Sequence, residues 1–186
     1  MYELGFKIFY PLKLSLLFSV FYPVLSILSS DIQSNKINKM YEGLKHAHSG
    51  IRWILLIALL YAIFNAYRKW KSGASYTDGD RKASLAAFVS SHIQLLLGVG
   101  LYTMSPKVHA IGESVMKEPV ARFFAVEHLT MMIIGIILIS VGHIKAKKAT
   151  DDTQKFKTTF LFFLIGLLVI LSRIPWPFQQ YGASWF

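Results

Sequence analysis

Two histidines lie inside long apolar segments of the sequence, where ionisable side chains are rare. His92 lies in the segment 83–104, and His128 lies in the segment 121–143. Two neutral imidazoles at similar depth on neighbouring antiparallel helices can bind a haem iron from its two sides. Counted from the segment ends, the two histidines differ in depth by only roughly 4–5 Å. The spacing therefore makes His92 and His128 candidate axial ligands of the iron of one haem b.

Cationic side chains near the segment ends could complete such a site. Haem propionates need cations at the rim of their pocket. Arg52, Arg122 and Arg173 are available at the predicted outer end of the bundle. His48 falls at the same end, at the predicted membrane surface, and is a further candidate for cofactor binding.

Two glycines and His143 affect how many haems are expected. A macrocycle needs small residues where it touches helix backbones, and the spacing puts Gly98 near the face of His92 and Gly135 on the face of His128. His143 lies at the other end of its segment and has no histidine partner at its predicted depth. We therefore expect one haem rather than two.

The same polar residues have a second interpretation that needs no cofactor. His, Gln and Ser side chains hydrogen-bond between membrane helices. Glu127 could form an ion pair with Arg52, Arg122 or Arg173. His128 could bond Ser90, Ser91 or Gln94. Glu127, Gln94 and Ser91 would then be a polar cluster that holds the helices together. Spacing alone leaves both interpretations open.

Apolar segments long enough to cross a bilayer must position these residues. Hydrophobic residues make up 54% of the 186 residues, with a mean hydropathy of +0.45, and they are gathered into blocks. About 20 residues at about 1.5 Å rise per residue cover the hydrocarbon core. The sequence therefore predicts an all-α integral membrane protein, a bundle of four transmembrane helices in contact with lipid. The predicted spans are 50–67, 83–104, 121–143 and 158–174.

Charge predicts the orientation of the bundle. Lys and Arg number 20 against 10 Asp and Glu, a net charge of +10. In a membrane protein this excess indicates loops at an anionic leaflet rather than nucleic-acid binding. Ten basic residues flank one side of the four spans and six the other, so the first side is predicted to be cytoplasmic and the C-terminus to face outward. We expect the protein to lie in a bacterial inner membrane.

Composition also limits the chemistry. The chain has no cysteine, which excludes disulfides, thiolate ligation of iron–sulfur clusters and thiol catalysis by this chain. Three regions are predicted: a four-helix membrane domain at 40–178, a C-terminal tail at 179–186, and an N-terminal part at 1–39. The last is either a signal or anchor helix, because two lysines precede an apolar run, or an over-extended start ahead of Met40.

Four runs carry a family resemblance: LKHAHSGIRWILLIALL, SSHIQLLLGVGLYTMSP, RFFAVEHLTMMIIGIILISVGH and RIPWPF. Over residues 40–178 the chain resembles small bacterial membrane proteins catalogued as cytochrome b-like. The resemblance implies a four-helix bundle in which His48, His92 and His128 are the marked histidines, with Arg52 and Glu127 beside them. It also implies haem b and electron transport.

The histidine spacing and the family resemblance together lead to an expected function. The chain would be an electron carrier or subunit rather than a stand-alone enzyme, exchanging electrons with a quinone or with a membrane or periplasmic redox protein. The alternative is a cofactor-free helical subunit that scaffolds or helps assemble a larger membrane complex. Larger membrane cytochromes b usually carry two histidines on each ligating helix, whereas the segment 83–104 holds only His92. This departure again favours a single haem.

Overall fold

The computed structural model describes residues 10–105, 108, 115–179 and 181, and side chains from residue 33 onward. The chain divides into two units, Met1–Glu42 and Gly43–Phe186. In the first unit the described residues are helical. The predicted N-terminal signal or anchor segment begins outside the described residues, and most of the predicted tail also lies outside them.

Among the residues that the structure describes, four helices are long and apolar enough to cross a membrane, and there is no strand. The prediction of an all-α, four-helix integral membrane protein is confirmed. The helices are α1 (Tyr10–Ser72), α2 (Asp78–Met104), α3 (Pro119–Lys148) and α4 (Asp152–Ser172). Each of the four predicted spans falls within one of them, apart from the last two residues of the fourth.

Local chemistry ends and starts the helices at their connections. Gly73 follows α1 with a φ of 64°, a left-handed conformation that glycine adopts without a steric penalty. Thr77 precedes α2, and its backbone N–H and hydroxyl both donate to the Asp80 carboxylate, at 2.8 and 2.7 Å. Asp151 caps α4 by accepting from the Gln154 N–H at 2.7 Å. These caps satisfy backbone groups that a helix end leaves without partners.

All four helices of the second unit contribute to one apolar core, and their other faces carry exposed apolar side chains. Fully buried Leu59 of α1, Ala87 of α2, Ile139 of α3 and Phe163 of α4 belong to this core. Large apolar side chains on the outer faces remain exposed, which in water would be unfavourable but in lipid is not. Examples are Ile57, Phe64, Leu96, Ile137 and Leu168. The outward faces therefore contact lipid.

Helices α3 and α4 approach each other most closely at glycines. A Cβ added at Gly135 would lie 2.6 Å from Cγ1 of Ile170 and 3.2 Å from the Gly166 carbonyl oxygen. A Cβ at Gly166 would lie 3.1 Å from the Gly135 carbonyl oxygen. Gly135 was predicted to make room for a macrocycle, and that prediction is wrong, because Ile170 of α4 fills the space. The glycine pair instead lets two backbones pack closely.

The second unit has two chemically different ends. At one end, which we call the basic end, α1 finishes, α2 begins, α3 finishes and α4 begins; Tyr76 N–H donates to the Asp152 carboxylate at 2.9 Å across it. The opposite end, the histidine end, carries His48 and His128. Aromatic and cationic side chains pack together at the basic end, where Lys71 Nζ lies 4.5 Å from the Trp70 ring centroid. Such pairs are typical of membrane interfaces.

We expect Gly135→Ala to lower the free energy of unfolding by about 1–3 kcal/mol, because the added methyl must displace Ile170 or the α4 backbone. Steric-trap or detergent unfolding of the purified protein would measure the change. The matched control is Gly50→Ala in α1, where no atom lies within 4 Å of the added Cβ. Equal stability of the two variants would contradict the close α3–α4 contact.

Candidate functional site at the histidine end

His48 of α1 and His128 of α3 meet at the histidine end. Their ring centroids are 6.4 Å apart, and the ring planes are inclined by 73°. Both side chains are partly buried. The structure does not bring His92 to His128: among the described residues, the ring contact of His92 is with Phe88. Of the three histidines marked in the sequence, His48 and His128 are therefore the pair that lies together.

Hydrogen bonds to neighbouring helices fix both histidines. His128 Nδ1 lies 2.7 Å from the backbone carbonyl oxygen of Arg173, so its N–H donates there and Nε2 keeps its lone pair. The Gln94 amide of α2 donates to the His48 carbonyl at 2.8 Å. His48 Nδ1 and Gln94 Oε1 are buried and have no hydrogen-bond partner among the described residues.

A π-helical segment places His128 at this site. Residues Phe123–His128 interrupt the α-helical pattern of α3, and Glu127 and His128 are its last two residues. Such a segment widens one turn and changes the direction of the side chains that follow, and it is frequent at functional sites. Phe123 and Phe124 pack beside the His128 ring, with centroids 6.1 and 6.4 Å away.

Three arginines and one glutamate surround the histidines. Glu127 accepts from Arg122 at 3.0 Å and forms an ion pair with Arg173 at 3.5 Å, as predicted for two of its three candidate partners. Arg52 is only 7% exposed, and its guanidinium carbon lies 5.2 Å from the Trp53 ring centroid. It acts electrostatically on both imidazoles. Among these four side chains, Arg52, Arg122 and Arg173 are cationic and Glu127 is anionic.

Small and polar residues of α2 pack against the His48 side of the site. A Cβ added at Gly98 would lie 3.3 Å from His48 Cε1, so this predicted small residue does border a histidine ring, although that of His48 rather than His92. Ser91 is fully buried and donates to the Phe88 carbonyl at 2.7 Å. Of the predicted polar cluster, Gln94 and Glu127 contact the histidine end, and Ser91 is bonded within its own helix.

His92 is the last of four α2 residues that lie at intervals of four and so share one face of the helix: Asp80, Ser84, Phe88 and His92. His92 Nδ1 lies 2.8 Å from the Phe88 carbonyl, and the Phe88 ring packs 4.2 Å from the His92 ring. Phe88 also stacks on His143 of α3 at 4.7 Å, and His143 Nδ1 lies 2.9 Å from the Ser84 hydroxyl. Asp80 is four residues before Ser84. His143, for which the sequence offered no histidine partner at its depth, thus packs against the helix that carries His92.

Asp80 organises the basic end. It is 6% exposed and accepts hydrogen bonds from Asn65 at 2.7 Å and from Lys69 at 2.8 Å, in addition to those from Thr77. Burial raises the pKa of the nearby Tyr76 phenol, and the Asp80 carboxylate adds to this effect. Asp80 was not among the site residues expected from the sequence. Asn65 and Lys69 lie four residues apart on α1 and therefore on one face of that helix. This spacing is the sequence feature that could have indicated them as joint partners of Asp80.

No protein-family model matches the chain, and no curated protein or solved structure matches it significantly.

We expect Asp80→Asn to lower the free energy of unfolding by about 2–3 kcal/mol, because it leaves the Lys69 ammonium beside a neutral amide in a mostly buried position. Asp78→Asn is the matched control, since its ion pairs with Arg81 and Lys82 are exposed and contribute little. Thermal unfolding in detergent would compare the two variants. If both melted at the wild-type temperature, Asp80 would not be the organising residue.

Proposed function

We propose that this chain is a membrane-bound electron-transfer subunit that binds one haem b at its histidine end, through His48 and His128. The separation of these two rings is the single observation that carries the proposal. The expectation from the sequence paired His128 with His92, and the ring contacts of the described residues favour His48 as the second ligand.

The ring separation fits two imidazoles on opposite sides of one iron. Metal–imidazole bonds of about 2.0–2.1 Å, with each nitrogen about 1.1 Å from its ring centroid, put the two centroids roughly 6.2–6.4 Å apart. The centroids of His48 and His128 are 6.4 Å apart. In the part of the chain that the structure describes, no three His, Asp or Glu residues could hold a bare metal ion. Haem needs only two protein ligands because the macrocycle supplies the other four.

The hydrogen bonding of the two histidines supports the same assignment. Metal-binding histidines commonly donate their second ring N–H to a backbone carbonyl, which sets the tautomer and the ring orientation. His128 has this arrangement with the Arg173 carbonyl. The buried His48 Nδ1 and Gln94 Oε1 have no hydrogen-bond partner among the residues that the structure describes, so a bound group could lie beside them. Gly98 lets the His48 ring lie close to the α2 backbone, since an added Cβ would be 3.3 Å from His48 Cε1.

The charge at the histidine end suits a dianionic cofactor. Arg122 and Arg173 share the single carboxylate of Glu127, and Arg52 lies nearby in a buried position. Two propionates would accept hydrogen bonds from these arginines. Haem held by His48 and His128 would supply one-electron transfer. A quinone or a redox protein is the proposed partner, with the basic end on the cytoplasmic side of a bacterial inner membrane.

A cofactor-free scaffold subunit is the second candidate. The hydrogen bond from His128 to Arg173 and the one from Gln94 to His48 each join two helices, as such bonds do in bundles without cofactors. In that case the same residues hold α1 to α2 and α3 to the end of α4, and the outer faces pack on partner membrane proteins.

Absorption spectra of the detergent-purified protein, oxidised and then dithionite-reduced, would test the proposal. We expect a sharp reduced α-band that is abolished in His48→Leu and His128→Leu, because each variant removes one axial ligand. Cells should be supplied with a haem precursor during expression. Thermal unfolding of each variant shows whether a colourless protein is still folded.

Two histidine variants serve as controls. His92→Leu should keep the α-band, since His92 contacts Phe88 and not the histidine pair, and His46→Leu should keep it because His46 is exposed. Loss of the band in His92→Leu but not in His48→Leu would restore the pairing expected from the sequence. A flat visible spectrum from folded wild-type protein would leave the scaffold candidate.

A further inference from the structure

The basic end contains a small cavity beside the polar residues Asp80 and Ser84 of α2. It lies among α1, α2 and α4 and is lined by Asn65, Asp80, Ser84 and Thr159, with Tyr76 at its edge. Thr159 is 4% exposed, and its hydroxyl has no hydrogen-bond partner among the described residues. A buried hydroxyl without a partner costs free energy unless something else in the cavity satisfies it.

The size and charge of the cavity indicate its occupant. It has room for about one water molecule, and three or four polar groups around it match the hydrogen bonds that a buried water makes. Asp80 is already neutralised by Lys69 at 2.8 Å, so a cation has no unbalanced charge to bind. A neutral, hydrogen-bonding occupant satisfies Thr159 at the lowest electrostatic cost.

We propose that this cavity binds one water that connects Asp80 and Thr159 to Ser84, and that the connection gives His143 a path for proton exchange with the aqueous phase at the basic end. Ser84 is 3% exposed, lines the cavity and shares a hydrogen bond of 2.9 Å with His143 Nδ1. This inference does not depend on haem binding.

The proton balance along this path is simple. When His143 gains a proton, Ser84 passes its hydroxyl proton to the imidazole and receives one from the cavity water, which is restored from bulk water at the exposed start of α2. Asp80 stays ionised and orients the water. The imidazole faces Ser84 and Phe88 of α2, and Lys147 of its own helix acts on it electrostatically.

Phe88 ends the path. Its ring lies between those of His143 and His92, at 4.7 and 4.2 Å, and an aromatic ring has no hydrogen to pass along a relay. His143 therefore exchanges protons with the basic end and not with His92. One apolar side chain interrupts the polar face of α2. At successive turns this face carries Asp80, Ser84, Phe88 and His92, and only Phe88 among them is apolar.

Water-edited solid-state NMR of histidine-labelled full-length protein in lipid would test the proposal. We expect polarisation to pass from water to the His143 ring in the wild type, and to pass at least about fivefold more slowly in Thr159→Val, which removes a hydroxyl that holds the water but keeps the side-chain shape. Thr158→Val is the matched control, one residue away and outside the cavity lining, and should behave like the wild type. Thermal unfolding checks that all variants fold.

A second variant and a second readout make the outcome decisive. Ser84→Ala should slow proton exchange at His143, seen in the line width of its ring nitrogens, as much as Thr159→Val does. Unchanged transfer in both variants, or no transfer in the wild type, would overturn the proposal. A ²³Na signal that disappears in Thr159→Val would also overturn it, because the occupant would then be a cation.

Discussion

A polar side chain between apolar helices needs a partner from the protein, and this constraint organises the second unit. Water in a membrane interior is scarce, so an unsatisfied donor or acceptor there costs free energy that lipid cannot recover. The unit meets the constraint by placing its polar groups in separate regions. Asp80, Asn65 and Lys69 satisfy one another at the basic end. Glu127 joins Arg122 and Arg173 at the other end.

The histidine end depends on an irregular helix and on a helix terminus. An α-helix leaves its last carbonyls without intrahelical partners. Arg173 follows α4, and its free carbonyl accepts from His128. The π-helical turn of α3 brings His128 to that carbonyl and Glu127 to the arginines. Two departures from regular helix geometry thus coincide at one place, where they orient an imidazole that keeps Nε2 available.

The proposed haem site and the proposed water path lie at opposite ends of the second unit, and closely packed helices lie between them. Between them, Gly135 and Gly166 allow α3 and α4 to touch along their backbones, and Phe163 fills the centre of the core. The middle of the unit is packed with apolar side chains, and the Phe88 ring, which contacts both His92 and His143, provides no hydrogen-bonded connection between them.

The amino-acid order by itself determined that the chain has four apolar membrane-spanning helices and roughly where each of them lies. Block-like hydrophobicity and a helical rise of about 1.5 Å per residue are local properties, so α1 to α4 were predictable without knowing how they pack. The ion pairing of Glu127 was also predictable, because Arg122 and Arg173 lie at the same predicted end of the bundle as Glu127.

Only the tertiary structure decided which histidines meet. Depth along the membrane can be counted from the sequence, but the rotation of each helix about its axis depends on packing. The Gly135–Ile170 contact sets α3 against α4, and the π-helical turn changes the direction of His128. His128 therefore reaches His48 rather than His92, while His143 meets Ser84. Helix rotation comes from side-chain shape at the contacts between helices, and no regular spacing in one chain segment encodes it.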